Sequence, residues 1–410
     1  MLHNRPGRFA LDGYSTAVRF ALILAFLLVG SLGQSAQSQT QTYKVIHNFT
    51  VSDGATPYAG PILDGSGNVY GTTYLGGSDA NGTVYELSRH GSSWVFRSLH
   101  SFTAGGDGAG PGFGSLAING GALFGTTESG GYFGTAFEVM RASPGSNVPQ
   151  AWKETVVHTF GVGKDGAQPL NGVVFDAAGN FYGTTSLGGA DGSGTVFEVK
   201  RSGKKWIESV IHSFKGANPV AGVILDAHGN LYGTTSFGGP AGDGVVFKLS
   251  RSGSGWKETV LYDFLGGSDG QYPVGGLVFD KAGNLYGSTF QGGANGGGTV
   301  YKLARSAKGW KLTTLYSFSG GAGPYNKLTF DAKGNIYGTT NGDGAHGDGS
   351  VFKLSRSNGV WKFTDLYDFT SGSDGGLPYG SVAVDAHGNI FGTATVGGSD
   401  NQGVVFEITP

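Results

Sequence analysis

Seven prolines, Pro57, Pro111, Pro169, Pro219, Pro273, Pro324 and Pro378, are each followed fourteen residues later by a glycine: Gly71, Gly125, Gly183, Gly233, Gly287, Gly338 and Gly392. A segment that keeps one length in seven copies is a rigid hairpin. Further along each copy an aromatic residue stands inside a V-F-E-L-type run: Tyr85, Phe137, Phe197, Phe247, Tyr301, Phe352 and Phe406. All six tryptophans (Trp94, Trp152, Trp206, Trp256, Trp310, Trp361) come next, and each precedes by eight residues a Phe: Phe102, Phe160, Phe214, Phe264, Phe318 and Phe369. The runs are short, β-branched and aromatic, and Gly, Asp, Asn and Pro bound them. Four strands per unit of roughly 50 residues, seven times over, predict an all-β, seven-bladed β-propeller of four-stranded blades. We name the strands a to d in chain order within each unit. The blades are expected at about 57–103, 111–161, 168–215, 219–265, 272–319, 324–370 and 378–409. The last unit stops after strand c, and a lone strand d at 43–50 precedes the first. The expectation is that strand 43–50 joins the C-terminal three strands and closes the ring, which removes the edges an open array would expose.

Composition fits this and excludes other classes. Gly makes up 79 of 410 residues, about 19% where roughly 7% is usual. With 38% hydrophobic and 12% aromatic residues, the chain has enough apolar surface to collapse, which argues against disorder. A net charge of −2 gives no basic footprint for nucleic acid. The absence of cysteine removes disulfides, thiolate metal sites and a cysteine nucleophile. No nucleophile elbow, zinc-protease helix or phosphate loop occurs.

Arg5, Arg8 and Arg19 precede an apolar run from Phe20 to Val29 and a small-residue exit at Ala36-Gln37-Ser38. These are the parts of a secretory signal peptide, and the run is shorter than the roughly 20 residues of a membrane span. Residues 1–38 are read as the signal and 39–410 as a single propeller. Cleavage removes three Arg and one Asp and leaves 24 basic and 28 acidic residues, a net charge of −4. An exported, monomeric product, periplasmic or extracellular and with no membrane span after cleavage, is expected.

Most repeated polar residues read as builders of turns and faces. The Asp of D-x-x-G-N bonds backbone N–H groups between strands a and b. His47, His100, His158 and His212 occupy the register that later units fill with Tyr262, Tyr316 and Tyr367. A position that accepts either ring fills a half-buried strand face, and one histidine per blade cannot share an ion, so no histidine metal site and no cofactor are expected. Asp53, Asp107, Asp165, Asp269 and Asp374 lie in Asp-Gly pairs between strands d and a; turn chemistry accounts for them, and calcium is the one ion their carboxylates would suit. Glu86, Glu138, Glu198 and Glu407 alternate with Lys248, Lys302 and Lys353, as on a solvated strand face.

The string Leu231-Tyr232-Gly233-Thr234-Thr235, Gly238-Gly239, Val246-Phe247-Lys248-Leu249 resembles the GloVer tandem repeat of exported bacterial proteins, and the resemblance covers residues 43–410. It implies export and repeat architecture and brings no reaction with it. Members are named for varied C-terminal anchors, and with Pro410 directly after the last strand no sorting tail is expected here. The Gly-Gly, aromatic and Trp order is more loosely similar to kelch repeats.

If repeated residues build the scaffold, deviations mark candidate function. Lys327 interrupts a glycine column near the axis, Asn171 and Asn326 stand beside it, and Tyr58, Tyr325 and Tyr379 follow their prolines. Glu128, Tyr132 and Phe133 occupy the shortened b–c loop of unit two. Aromatics, amides and one lysine near a central mouth suit a glycan or a short peptide. The first reading is therefore an exported, non-catalytic binding or scaffold propeller whose partner is a glycan or an envelope protein. An extracellular polysaccharide lyase or hydrolase is the alternative, and a structural, calcium-stiffened surface protein is the second.

Overall fold

The structure, a computed structural model, describes residues 41–142, 151–161, 163–319 and 323–410. The signal segment 1–38 and most of the long c–d hairpin of unit two (142–151) therefore lie outside the described residues. Seven antiparallel sheets, each in the order a-b-c-d and the second with a further short strand, Ala109–Pro111, beside strand b, form a seven-bladed β-propeller. The first blade shows the pattern: Ile62–Leu63, Val69–Thr73, Thr83–His90 and Ser93–Ser101. In the seventh, strand Thr42–Asn48 pairs antiparallel with Val404–Thr409 and completes the sheet begun by Ala383–Val384 and Ile390–Ala394. The closure expected from the orphan N-terminal strand is present. Among the described residues no helix is long and apolar enough to cross a membrane.

Cross-strand packing explains the repeated residues. Gly233 pairs directly with Phe247, and a Cβ there would stand 2.6 Å from the ring. The glycine of Y-G-T-T is thus required by the aromatic fourteen residues on. The Phe that ends strand d is buried in every blade, and its N–H donates to a glycine carbonyl that opens strand c, as Phe102 does to Gly82 at 3.0 Å. Arg251 stacks on Trp256 at 4.1 Å across the c–d hairpin, and the equivalent Arg–Trp pairs recur in four other blades.

In the a–b turn, Asp226 accepts from the backbone N–H of His228 and Asn230, from the Asn230 amide and from the Tyr232 hydroxyl. These aspartates are turn builders, as their spacing indicates. Burial alone would raise their pKa, but the bonds from Asn, backbone and Tyr hold Asp64, Asp176, Asp226, Asp280 and Asp331 below the ordinary aspartate value.

Two expectations change. Unit two keeps its length by compensation: Gly112 is an extra residue before strand a, and Asn119-Gly120-Gly121-Ala122 forms a two-residue hairpin, with φ of 58° and 82° at its glycines. Gly then sits where other blades use Asp-x-x-Gly-Asn, because both central residues need a left-handed backbone. The Glu position on strand c is also not a solvated face. Glu86, Glu198 and Glu407 are buried, since the next blade covers them. Tyr182 donates to Glu198 at 2.7 Å, and Arg251 from the following blade donates to it at 2.9 Å.

Candidate functional site

The residues just after each proline crowd the axis. A Cβ on Gly60 would lie 1.9 Å from the Ser381 carbonyl, and one on Gly114 would lie 1.7 Å from the Gly172 nitrogen. Small residues are obligatory there because neighbouring blades converge. Larger residues fit only where the chain turns them toward the axis, and those are the deviations of the glycine column.

Tyr58, Tyr325 and Tyr379 come together at the mouth on the d–a loop face. Tyr58 lies 5.4 Å from Tyr379, and Tyr379 lies 5.6 Å from Tyr325. Phe113, hidden from sequence reading by the extra Gly112, completes the cluster at 4.7 Å from Tyr58 and 6.2 Å from Tyr325. Phe113 belongs to blade two and Tyr325 to blade six, so this contact reaches across the axis and the four rings cross the mouth. Asn326 donates to the Phe113 carbonyl at 3.2 Å and ties the same two blades. Burial, then the neighbouring Tyr379, raises the pKa of Tyr58 and of Tyr325. Glu128 stands at the edge of this cluster and accepts from Tyr74 at 2.8 Å; Tyr74 in turn packs on Tyr58. Tyr132 and Phe133 are exposed, beside the d–a loop, where the Phe133 N–H and C=O bond Phe160 and Gln168. They stand apart from the ring cluster.

Beneath the rings runs a channel of about 430 Å³, lined from Lys327, Ser381, Ser115 and Asn171 down strand a to Leu63 and Val384 at the a–b turn end. Ser115 and Ser381 meet at 3.2 Å. Asn171 donates to Val220 and accepts from Gly172, so its amide is fixed in the wall. Lys327 stands in the channel with solvent around its side chain and protein on all sides. Gly276 gives it room: a Cβ there would lie 3.4 Å from the Lys327 stem. No carboxylate approaches the Lys327 ammonium within ion-pair distance among the described residues. Ser115 and Thr329 also line the channel; only a one-residue shift of unit two would have revealed Ser115 as an equivalent of Lys327 and Ser381.

The aspartates considered for calcium are spread one per d–a loop. Each closes its own turn: Asp53 accepts from the Thr50 N–H at 2.7 Å, Asp107 from Thr103 at 2.9 Å, Asp165 from Gly161 at 2.7 Å, and Asp269 and Asp374 from Leu265 and Thr370 at 3.0 Å. Each also faces the ring two residues before the strand-d Phe. His47, His100 and His158 lie 3.3, 3.3 and 3.2 Å from their aspartates, and Tyr262 and Tyr367 donate at 3.0 and 3.1 Å. His and Tyr interchange because both carry a polar ring atom to the same carboxylate. Burial holds these three histidines below the ordinary histidine value, against the pull of the aspartates.

A closed ring of seven repeat blades with aromatic rings across one mouth and an axial channel defines the class, a repeat-built β-propeller. The Gloeobacter/Verrucomicrobia repeat matches residues 34–217, 149–278 and 218–410, and the chain belongs to that family. No curated protein matches the chain. Among solved structures, a candidate 6-phosphogluconolactonase from Bacteroides uniformis aligns with a TM-score of 0.50 at 16% identity, over 75% of this chain and 84% of that one. A second such protein, from Bacteroides fragilis, aligns with a TM-score of 0.51 at 14% identity, over 80% and 95%. These likenesses concern the fold.

Proposed function

We propose that the protein is an exported, non-catalytic binding propeller that takes a short glycan carrying an anionic group, such as a carboxylate, into its axial channel. The observation that carries this reading is Lys327, a lysine with no anionic partner among the described residues, standing in a channel walled by hydroxyls, an amide and apolar side chains. A channel of about 430 Å³ falls in the range that holds a small ligand, roughly 300–1,000 Å³. The four rings narrow the d–a mouth, so the ligand is expected from the a–b turn face.

The described lining contains no carboxylate and no imidazole, the usual proton-transfer pair of a hydrolase, and Lys327 is the one acid–base side chain in it. Tyr58 and Tyr325 are pushed toward the protonated state and make poor bases. The lactonase assignment of the two Bacteroides proteins is compatible with a sugar-sized ligand and adds no catalytic group here. Export rests on the N-terminal segment and the repeat family.

The test is a thermal-shift series with oligouronides and neutral oligosaccharides of equal length. At about 100 times its dissociation constant a ligand adds about 2.7 kcal/mol, which displaces the melting curve. Acidic fragments are expected to shift the melt of the wild type, and Lys327→Met is expected to weaken them at least about tenfold, or 1.4 kcal/mol. No shift with any acidic fragment, or an equal shift in Lys327→Met, overturns the reading.

A further inference from the structure

The outer rim carries a second constellation, independent of the channel. Each strand d presents its His or Tyr to the residue two places after the tryptophan of the next blade. Most seams are apolar or aromatic there: His47 stacks on Phe96 at 4.2 Å, Tyr316 on Phe363 at 4.2 Å and Tyr367 on Tyr43 at 3.8 Å. Three consecutive seams place a glutamate in that slot instead: Glu154, Glu208 and Glu258. A carboxylate in a half-buried slot built for a ring is costly unless something cationic meets it.

At the seam of blades two and three the ligand-type atoms converge. His158 from strand Trp152–Thr159, Asp165 from the d–a loop and Glu208 from strand Lys205–Ser213 offer atoms that all lie within 4.8 Å of one another. The first two are held in place by contacts on their far sides. The Gly161 N–H holds one Asp165 oxygen at 2.7 Å, and the His158 ring packs edge-on against the buried Phe160 at 4.7 Å. Glu208 Oε1 is buried and has no hydrogen-bond partner.

We propose that His158, Asp165 and Glu208 bind one first-row divalent cation, best Zn²⁺, which clamps blade two to blade three. An imidazole nitrogen with two carboxylates suits Zn²⁺ better than Ca²⁺, which takes oxygen ligands alone. Two carboxylates also neutralise its charge. The histidines do not share an ion with one another; a histidine meets the aspartate of its own loop and the glutamate of the next blade. Among the described residues this seam is where three such atoms come together.

The test uses the untagged full chain, stripped with a chelator and dialysed against Zn²⁺, with metal content and melting temperature as readouts. One Zn²⁺ per chain and a raised melting temperature are expected. Glu208→Gln and His158→Phe are expected to weaken uptake by more than about tenfold, the scale on which even outer partners of a metal act. Glu208→Phe copies the ring found at Phe96 and Phe363, so it is expected to keep the fold and lose the metal. Glu154→Gln, at the neighbouring seam, is expected to keep uptake. Absence of stoichiometric Zn²⁺ in the wild type, equal uptake by the three site variants, or uptake of Ca²⁺ in preference to Zn²⁺ each overturns the proposal.

Discussion

The Tyr85 and Tyr301 hydroxyls are fully buried, and neither has a hydrogen-bond partner. Five other blades place Phe at the same register, packed over the strand-b glycine. A buried hydroxyl without a partner costs about 1–3 kcal/mol in desolvation, and its removal restores much of that. Tyr301→Phe is therefore expected to leave the protein as stable or up to about 2 kcal/mol more stable, read from urea unfolding. A loss of stability would show that the hydroxyl has a partner in solution. Periodicity exposes this register without effort, yet it cannot tell a satisfied phenol from an orphaned one. The difference depends on what lies opposite, and opposite Tyr301 there is only glycine backbone and apolar side chains.

At the scale of elements the unit of stability is the seam between blades. Strand d carries one extra apolar residue in every blade, such as Leu99 between the pairs Val84–His100 and Tyr85–Ser98. This bulge turns the His or Tyr that follows it toward the next blade, so simple alternation along the strand does not reveal its partner. That is why Glu154 and Glu208 read as ordinary strand residues in sequence and emerge as seam residues in the fold. Burial, with the nearby Asp107 charge, raises the Glu154 pKa from 4.5 to about 7. Between those values the folded state holds a proton that the unfolded chain has released, so stability falls as pH rises through the window and levels off above it. In chelator, Glu154→Gln is expected to unfold like the wild type near pH 4.5 and to be more stable by about 1–3 kcal/mol at pH 8. Parallel stability curves for the two proteins from pH 4.5 to 8 would refute the burial of that carboxylate.

For the whole molecule, the segment Thr42–Asn48 joins three blades. Its backbone completes blade seven, Tyr43 stacks on Tyr367 of blade six, and His47 stacks on Phe96 of blade one. Deleting residues 42–48 opens the ring and leaves an unpaired edge on strand c of blade seven. Loss of the single cooperative melt, or a fall in stability of several kcal/mol with concentration-dependent aggregation, is expected in calorimetry. An unchanged melt in the deleted chain would mean that the other six blades hold the ring closed unaided.

The seven-fold ruler, the strand pattern and the incomplete units at the two ends were sufficient for the fold, because turn length, side-chain alternation and edge pairing are local properties that repeat. Tyr58, Tyr325, Tyr379, Asn171, Asn326 and Lys327 were also visible as departures from the repeat. Their arrangement was not, since it depends on which blades face each other across the axis: Phe113 meets Tyr325 only because the ring closes with seven members. The ring cluster at the mouth, the channel behind it and the His158–Asp165–Glu208 seam all join residues from different units. A repeat fixes what each unit is; only packing of the units against one another decides which side chains share a space, and so where a ligand or an ion can bind.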